Sequence, residues 1–385
     1  MRIESTSTVA STSVVSGFSR TTRVDVPIER VDVAAYRVPT DFPESDGTLE
    51  WDSTTLVVVD VDGGDTHGQG YTYADESTAR LIQTRLADAV RGRDAMSVPE
   101  SWSAMVGAIR NLGRPGIASM AISAVDAALW DLKARLLDVP LVTLLGAVRD
   151  RVAVYGSGGF TSYPPERLAE QFAGWIAAGI MRVKMKIGRE PERDRERVQH
   201  ARRVIGPAAE LFVDANGALT RKQALAFSEN VAAATVSWFE EPVSSDDLEG
   251  LRLMRDRAPA GMAIAAGEYG YDLPYFKRML DAGAVDVLQA DATRCAGITG
   301  FMRAAALCEA YAVPLSAHTA PALHLAPCLA AAPVCHIEYF HDHARIEQML
   351  FDGAPVPIRG SLVPDLSRPG LGLELKRADA ERYRI

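Results

Sequence analysis

Apolar and polar residues alternate with a period of two along VDVAAYRV (31–38) and TTLVVVDVDG (54–63), a pattern that predicts two half-buried strands. A polar segment carrying Pro39, Pro43 and Gly47 joins them, so the pair reads as a hairpin. The period then lengthens. Helical spacing runs from about residue 76 to 110 and again through ASMAISAVDAALWDLKARLLD, where Ile122, Val125, Ala128, Leu129 and Leu132 recur at steps of three and four. These segments predict an α+β unit over 24–147.

Beyond Gly146 the texture becomes a repeated unit of short apolar strand and amphipathic helix. The predicted strands are VAVYG, MRVKMKIG, ELFVDANG, VSWFEEP, AIAAGE, VDVLQAD, VPLSAH and CHIEYF, separated by helices such as PPERLAEQFAGWIAAG and LPYFKRMLDAG. Eight strands alternating with helices predict an α/β fold of the (β/α)-barrel type over 148–349. A doubly wound open sheet is the alternative, but no G-x-G-x-x-G follows a strand. The segment from about 350 to 385 is too short to fold alone and is expected to complete the first unit. The Ser- and Thr-rich residues 1–23 read as a flexible tail.

Composition narrows the partners. A net charge of −9 over 385 residues disfavours nucleic acid and anionic membranes, because both require a positive surface field. Cys295, Cys308, Cys328 and Cys335 form no C-x-x-C pair, and no apolar run reaches the length of a membrane span. A cytoplasmic enzyme acting on small molecules is the expectation.

One strand poses a chemical question. In RVKMKIG, Lys184 and Lys186 point to one face while Val183, Met185 and Ile187 point to the other, and two buried like charges need a partner. The strand ends supply one. Polar residues recur where each strand stops: Lys184 and Lys186, Asp214, Glu240 with Glu241, Glu268, Asp291, His318 and Glu338. From Lys186 to Asp214 is 28 residues, from Asp214 to Glu240 is 26, and from Glu240 to Glu268 is 28. In a barrel all would fall on the C-terminal rim, where active sites are built. Asp214, Glu240 and Glu268 would then converge, and three carboxylates at close quarters cannot all stay ionised without a cation. All-oxygen ligands favour a hard ion such as Mg²⁺. Single acids at strand ends commonly cap the next helix, but three in register point to a metal centre.

These motifs together resemble the enolase superfamily, in its mandelate racemase branch. The likeness rests on SAVDAALWDLKARLLDVPLVTLLG, the K-x-K of Lys184 and Lys186, VDANG, WFEEP, GE, ADATRCAGITG, SAH and HIEYF, and it runs from about residue 24. The resemblance implies Mg²⁺ on Asp214, Glu240 and Glu268, with Glu241 as competitor for the middle place. It implies Lys186 as general base, its pKa lowered by Lys184, and His318 as acid or base on the opposite face, oriented by Asp291. Glu338 would bind the substrate carboxylate. Such a set removes the α-proton of a carboxylate through an ene-diolate; this Lys-or-His-with-Mg²⁺ pattern is the superfamily's own. Dehydration of an aldonate or aldarate ranks first, racemisation or epimerisation of a 2-hydroxy acid second, and a non-catalytic metal- and ligand-binding barrel third. The cap segments 38–52 and 66–75, with Asp41, Glu44, Asp46, Trp51, Tyr71 and Tyr73, are the expected specificity elements. Asn216 and Arg294 stand near the site as supporting residues. His324 is assigned to the following helix, and His341 and His343 lie on the rim. The resemblance also implies a homo-oligomer, as a dimer, tetramer or octamer.

Overall fold

The computed structural model describes residues 25–385; the stretch expected to be a flexible tail, residues 1–23, lies outside the described residues. Strands β1 (Arg30–Ser45), β2 (Glu50–Gly63) and β3 (Thr66–Tyr73) form an antiparallel meander. The first two are the predicted hairpin, with a break in register between Pro39 and Glu44. The third replaces an expected loop. THGQGYTY lacks a clean apolar alternation because two of its positions are glycines over which a helix passes. On Gly70 a Cβ would lie 2.3 Å from the Ala124 carbonyl oxygen and 2.4 Å from the Ala128 nitrogen, and on Gly68 it would lie 2.3 Å from the Leu132 nitrogen. The helix Ile117–Leu136 therefore rests backbone to backbone on β3, through its alanine-rich face. Backbone cannot yield as a side chain can, so Gly70→Ala is expected to cost about 3 kcal/mol, the upper end of overpacking penalties. A urea titration reporting a change of less than about 0.5 kcal/mol, the range of inert surface changes, would refute that account of the contact.

Eight strands alternate with helices to build the barrel: β4 (Val152–Gly158), β5 (Arg182–Lys186), β6 (Glu210–Asp214), β7 (Val236–Glu240), β8 (Ala263–Ala266), β9 (Val287–Ala290), β10 (Leu315–Ala317) and β11 (Val334–Phe340). They are parallel in chain order, and β11 pairs back onto β4, with Glu338 opposite Tyr155. The sheet is thus closed. Val183, Met185 and Ile187 pack outward with the helices, while Lys184 and Lys186 turn inward. Inside, Tyr155, Phe212 and Trp238 surround His336, with ring centroids 4.8 to 5.8 Å from it. This aromatic floor blocks the barrel, so polar chemistry is confined to its C-terminal mouth.

The C-terminal segment runs from barrel to cap. Ser361–Leu362 pairs antiparallel with β4, the Leu375 N–H reaches the Gln69 side chain at 3.0 Å, and the Ile385 N–H donates to the Ala35 carbonyl at 3.0 Å. Among the described residues no helix is long and apolar enough to cross a membrane.

Candidate active site

Parallel register places the strand ends at one level. Lys186 pairs with Asp214, and Asp214 with Glu240, in neighbouring ladder positions, so residues that share a pleat face share the barrel mouth. All of the predicted strand-end residues meet there, and all are buried: Lys184, Asp214, Glu240 and Glu338 are fully enclosed, with Lys186, Glu268, Asp291 and His318 at 5 % exposure or less.

Two clusters result. On one side Lys186 Nζ donates to Asp214 Oδ2 at 2.6 Å. Lys184 Nζ lies 2.5 Å from Glu240 Oε1, 2.8 Å from Glu338 Oε1 and 3.3 Å from Asp214 Oδ2, above the Tyr155 ring at 5.4 Å. Trp238 Nε1 donates to Glu240 Oε2 at 3.0 Å. On the other side His318 Nδ1 meets Asp291 Oδ2 at 2.8 Å, which leaves His318 Nε2 facing the mouth, 3.4 Å from Glu268 Oε2 and 3.8 Å from Glu338 Oε2. Arg294 lies 3.3 Å from Glu268 Oε1 and 3.6 Å from Asp291 Oδ2.

The charges shape one another. Burial disfavours the carboxylate of Asp291, yet the His318 hydrogen bond and charge hold it below the usual range. Glu240 moves the other way, pushed up by burial and then by Asp214. The lysines depart from expectation. Burial opposes the charge on Lys186 most, and like-charge repulsion from Lys184 adds to it, but Asp214 together with Glu268 and Glu240 outweighs them and holds Lys186 above its ordinary value. The neighbouring lysine is visible in K-x-K, whereas the carboxylate 2.6 Å away comes from the next strand.

Oxygens of Asp214, Glu240 and Glu268 lie within 4.8 Å of one another. Glu268 Oε2 is buried and makes no hydrogen bond, standing 3.4 Å from His318 Nε2. A donor set of three carboxylates with a free buried oxygen fits a hard divalent cation. Glu241 is buried beside the same acids, where burial and then Glu268 push its carboxyl up, but it is not among the three whose oxygens converge; its Oε1 is also unpartnered and its backbone has φ of 38°. Asn216 donates its backbone N–H to Asp214 Oδ1 at 2.9 Å and so orders that carboxylate.

The cap supplies a lid over the lysine side. Asp46 Oδ1 accepts the Thr48 and Leu49 N–H groups at 2.6 and 2.7 Å, closing a turn that presses Gly47 onto the rim. A Cβ there would stand 2.5 Å from the Ala215 oxygen and 2.7 Å from the Ile187 oxygen. Glu44 is buried under Trp51, whose Nε1 donates to it at 2.9 Å, and burial pushes its pKa up to about 9. Asp41, Glu44 and His341 could also gather round an ion, but Asp41 is already committed to Arg167 at 2.9 Å and His341 at 3.1 Å.

Tyr71 and Tyr73 sit inside the cap–barrel interface, not on a loop at the mouth. The Tyr71 hydroxyl donates to Glu347 Oε1 at 2.5 Å and accepts the Leu323 N–H at 3.1 Å, while Tyr73 stacks on His343 with centroids 3.5 Å apart. Tyr71 thus braces the start of the helix Pro321–Ala330, and Tyr73 the start of the helix His341–Leu350. Thr319 escaped sequence reasoning altogether. Its N–H donates to Glu338 Oε2 at 3.1 Å, a backbone contact that no side-chain motif announces.

Residues 30–146 match the mandelate racemase / muconate lactonizing enzyme N-terminal domain, and residues 167–380 match the enolase C-terminal domain-like family. A mandelate racemase/muconate lactonizing enzyme-like protein from Rubrobacter xylanophilus superposes with a TM-score of 0.92 at 57% identity, covering 93% of this chain and 100% of that one. The 3,6-anhydro-alpha-L-galactonate cycloisomerase of Streptomyces coelicolor is 32% identical over 358 residues, 90% of this chain and 97% of its own. The L-talarate/galactarate dehydratase of Salmonella typhimurium LT2, solved with Mg and L-lyxarohydroxamate, has a TM-score of 0.85 at 25% identity, covering 100% of this chain and 97% of that one. With both halves matched and the strand-end residues gathered at one mouth, this chain belongs to the mandelate racemase / muconate lactonizing enzyme family of the enolase superfamily.

Proposed function

We propose that the protein is a Mg²⁺-dependent enzyme that removes the α-proton of an acid sugar, and that its reaction is dehydration of an aldonate or aldarate to a 2-keto-3-deoxy acid. The observation that carries this reading is the opposition of two proton-transfer groups, Lys186 Nζ and His318 Nε2, across one buried cluster of carboxylates. Relatives that include an acid sugar dehydratase and an acid sugar cycloisomerase support the substrate class.

Asp214, Glu240 and Glu268 would hold Mg²⁺, which would supply positive charge where negative charge develops on the substrate carboxylate. The chain's own groups do the rest. Lys184 meets the substrate carboxylate at the inner wall with its ammonium charge, and Glu338, held ionised against burial by the Lys184 ammonium 2.8 Å away, keeps that ammonium in place. With Asp214 committed to a cation, Lys186 would lose the carboxylate that holds its proton, and as the neutral amine it would take the α-proton on one face. His318, whose Nδ1–H is fixed on Asp291, presents Nε2 to the other face and protonates the departing β-hydroxyl. Proton-transfer groups on both faces favour a second reading, racemisation or epimerisation, because the same intermediate can be reprotonated from the opposite side.

Proton NMR in D₂O with Mg²⁺ and a panel of aldonates, aldarates, sugar lactones and 2-hydroxy acids separates these outcomes. Loss of the α-proton with new C3 methylene signals beside a 2-keto group is the expected result. Deuteration at the α-carbon without a keto product would replace dehydration with racemisation, and no change in any compound would overturn the reading.

A further inference from the structure

We propose that His324 is a positioning residue for the His318–Asp291 pair, stapling together the two backbone segments that carry those side chains. The inference rests on the reading of His318 as an acid–base group.

His324 lies in the helix Pro321–Ala330, fully buried against Phe301. Its Nε2 is 2.8 Å from the backbone nitrogen of Ala292. A backbone N–H can only donate, so Nε2 offers its lone pair and the ring proton resides on Nδ1. That nitrogen is 2.9 Å from the Thr319 carbonyl oxygen and 3.1 Å from the Ala320 carbonyl oxygen, both acceptors. One neutral ring thus ties the residue after Asp291 to the two residues after His318. Burial disfavours its charged form, in keeping with that assignment.

The segment after His318 needs holding. Thr319 and Ala320 have φ of 50° and 40°, two consecutive non-glycine residues in the left-handed region, which persist only where their surroundings over-determine them. The Thr319 N–H is taken by Glu338 Oε2 at 3.1 Å, and the carbonyls of both residues face the His324 Nδ1–H. On the other strand Asp291 Oδ1 is turned by the Thr293 N–H and hydroxyl, each at 2.7 Å, leaving Oδ2 for His318. His324 closes this circuit: it sets the distance between strands β9 and β10 at the point where His318 Nδ1 must reach Asp291 Oδ2. Partners of this kind, one step behind a working group, usually govern its orientation.

The test compares His324→Gln with His324→Met in the full chain. Glutamine can accept from the Ala292 N–H and donate to the Thr319 carbonyl; methionine fills similar space and can do neither. In ¹⁵N-histidine-labelled protein the His318 Nδ1–H signal, shifted downfield by Asp291, is expected in wild type and in His324→Gln and is expected to be lost in His324→Met. With whichever panel compound the enzyme turns over, kcat of His324→Met should fall by about 10–100-fold, the usual effect of removing such a partner, with KM little changed and with rescue in His324→Gln. A folded His324→Met variant that keeps both the signal and a kcat within about twofold of wild type, well short of the effect of removing an orienting partner, would overturn the inference. Should both variants fail to fold, the wild-type spectrum decides: a pyridine-like Nε2 and a protonated Nδ1 on His324 support the staple, and the reverse tautomer refutes it. The spectra read the same way if no panel compound reacts, so failure of the functional reading stays separate from failure of this one.

Discussion

Lys186→Met is expected to reduce turnover by roughly 10²–10⁴-fold, the contribution typical of a positioned general base, while deuterium exchange from the His318 face survives. His318→Asn should show the converse, because each group serves one face of the substrate. The two variants differ in structural consequence. Lys186 is the hydrogen-bond partner of Asp214, and stripping one member from a buried ion pair costs about 3–5 kcal/mol. Binding of Mg²⁺ at Asp214 offsets part of that loss, so the methionine variant should be markedly less stable than wild type without Mg²⁺ and closer to it with saturating Mg²⁺. Thermal melts with and without the ion, run beside the exchange experiment, measure both effects. Equal loss of exchange from both faces in either single variant would show that the two groups do not work on opposite sides.

Glu268→Gln is expected to abolish turnover and Mg²⁺ binding together, with little damage to the fold. Among the three carboxylates Glu268 has the loosest protein contacts: Arg294 stands off at 3.3 Å and Oε2 makes no hydrogen bond, whereas Asp214 and Glu240 are each held by a lysine at 2.6 Å or closer. An amide therefore fits the space but withholds the charge. In wild type, Mg²⁺ at one hundred times its Kd should stabilise the protein by about 2.7 kcal/mol by mass action, and the glutamine variant should show no such gain. Treatment of wild type with a chelator should reproduce the loss of activity, and added Mg²⁺ should restore it. Full activity in chelator would refute the metal centre.

The barrel was legible because its signal is redundant. Eight apolar strands, each followed by an amphipathic helix, repeat one message, and the strand-end acids repeat at intervals set by one strand and one helix. The cap carries no such repetition. Strand β3 hides as THGQGYTY because close contact with the helix Ile117–Leu136 demands glycines where a strand would ordinarily display β-branched residues. Tyr71 and Tyr73 read as binding residues for the same reason: a tyrosine pair in a polar stretch looks exposed until Glu347 and His343 are found against it. Among the site residues, identity and level were readable from strand register, but pairing was not. Nothing in K-x-K tells that Lys184 would lie closest to Glu240 and Lys186 closest to Asp214, since that depends on side-chain reach across neighbouring strands. His324 shows the limit most clearly. One buried histidine on a helix has the same sequence signature whether it fills space or joins two strands, and only the backbone atoms around it distinguish the cases.

Closure of the ring has a kinetic consequence. Glu338 stands on β11, opposite Tyr155 of β4, so the first and last barrel strands must find each other across nearly the whole intervening chain. Such distant parallel pairing is slow to nucleate, and until it occurs β4 and β11 each present an open edge able to recruit strands from other molecules. The mouth matures in that same late step, because Lys184 is pinned between Glu240 on β7 and Glu338 on β11. Recovery of catalysis during refolding should therefore lag behind helix formation and coincide with the disappearance of aggregation-prone intermediates, which makes enzymatic turnover a direct clock for completion of the barrel.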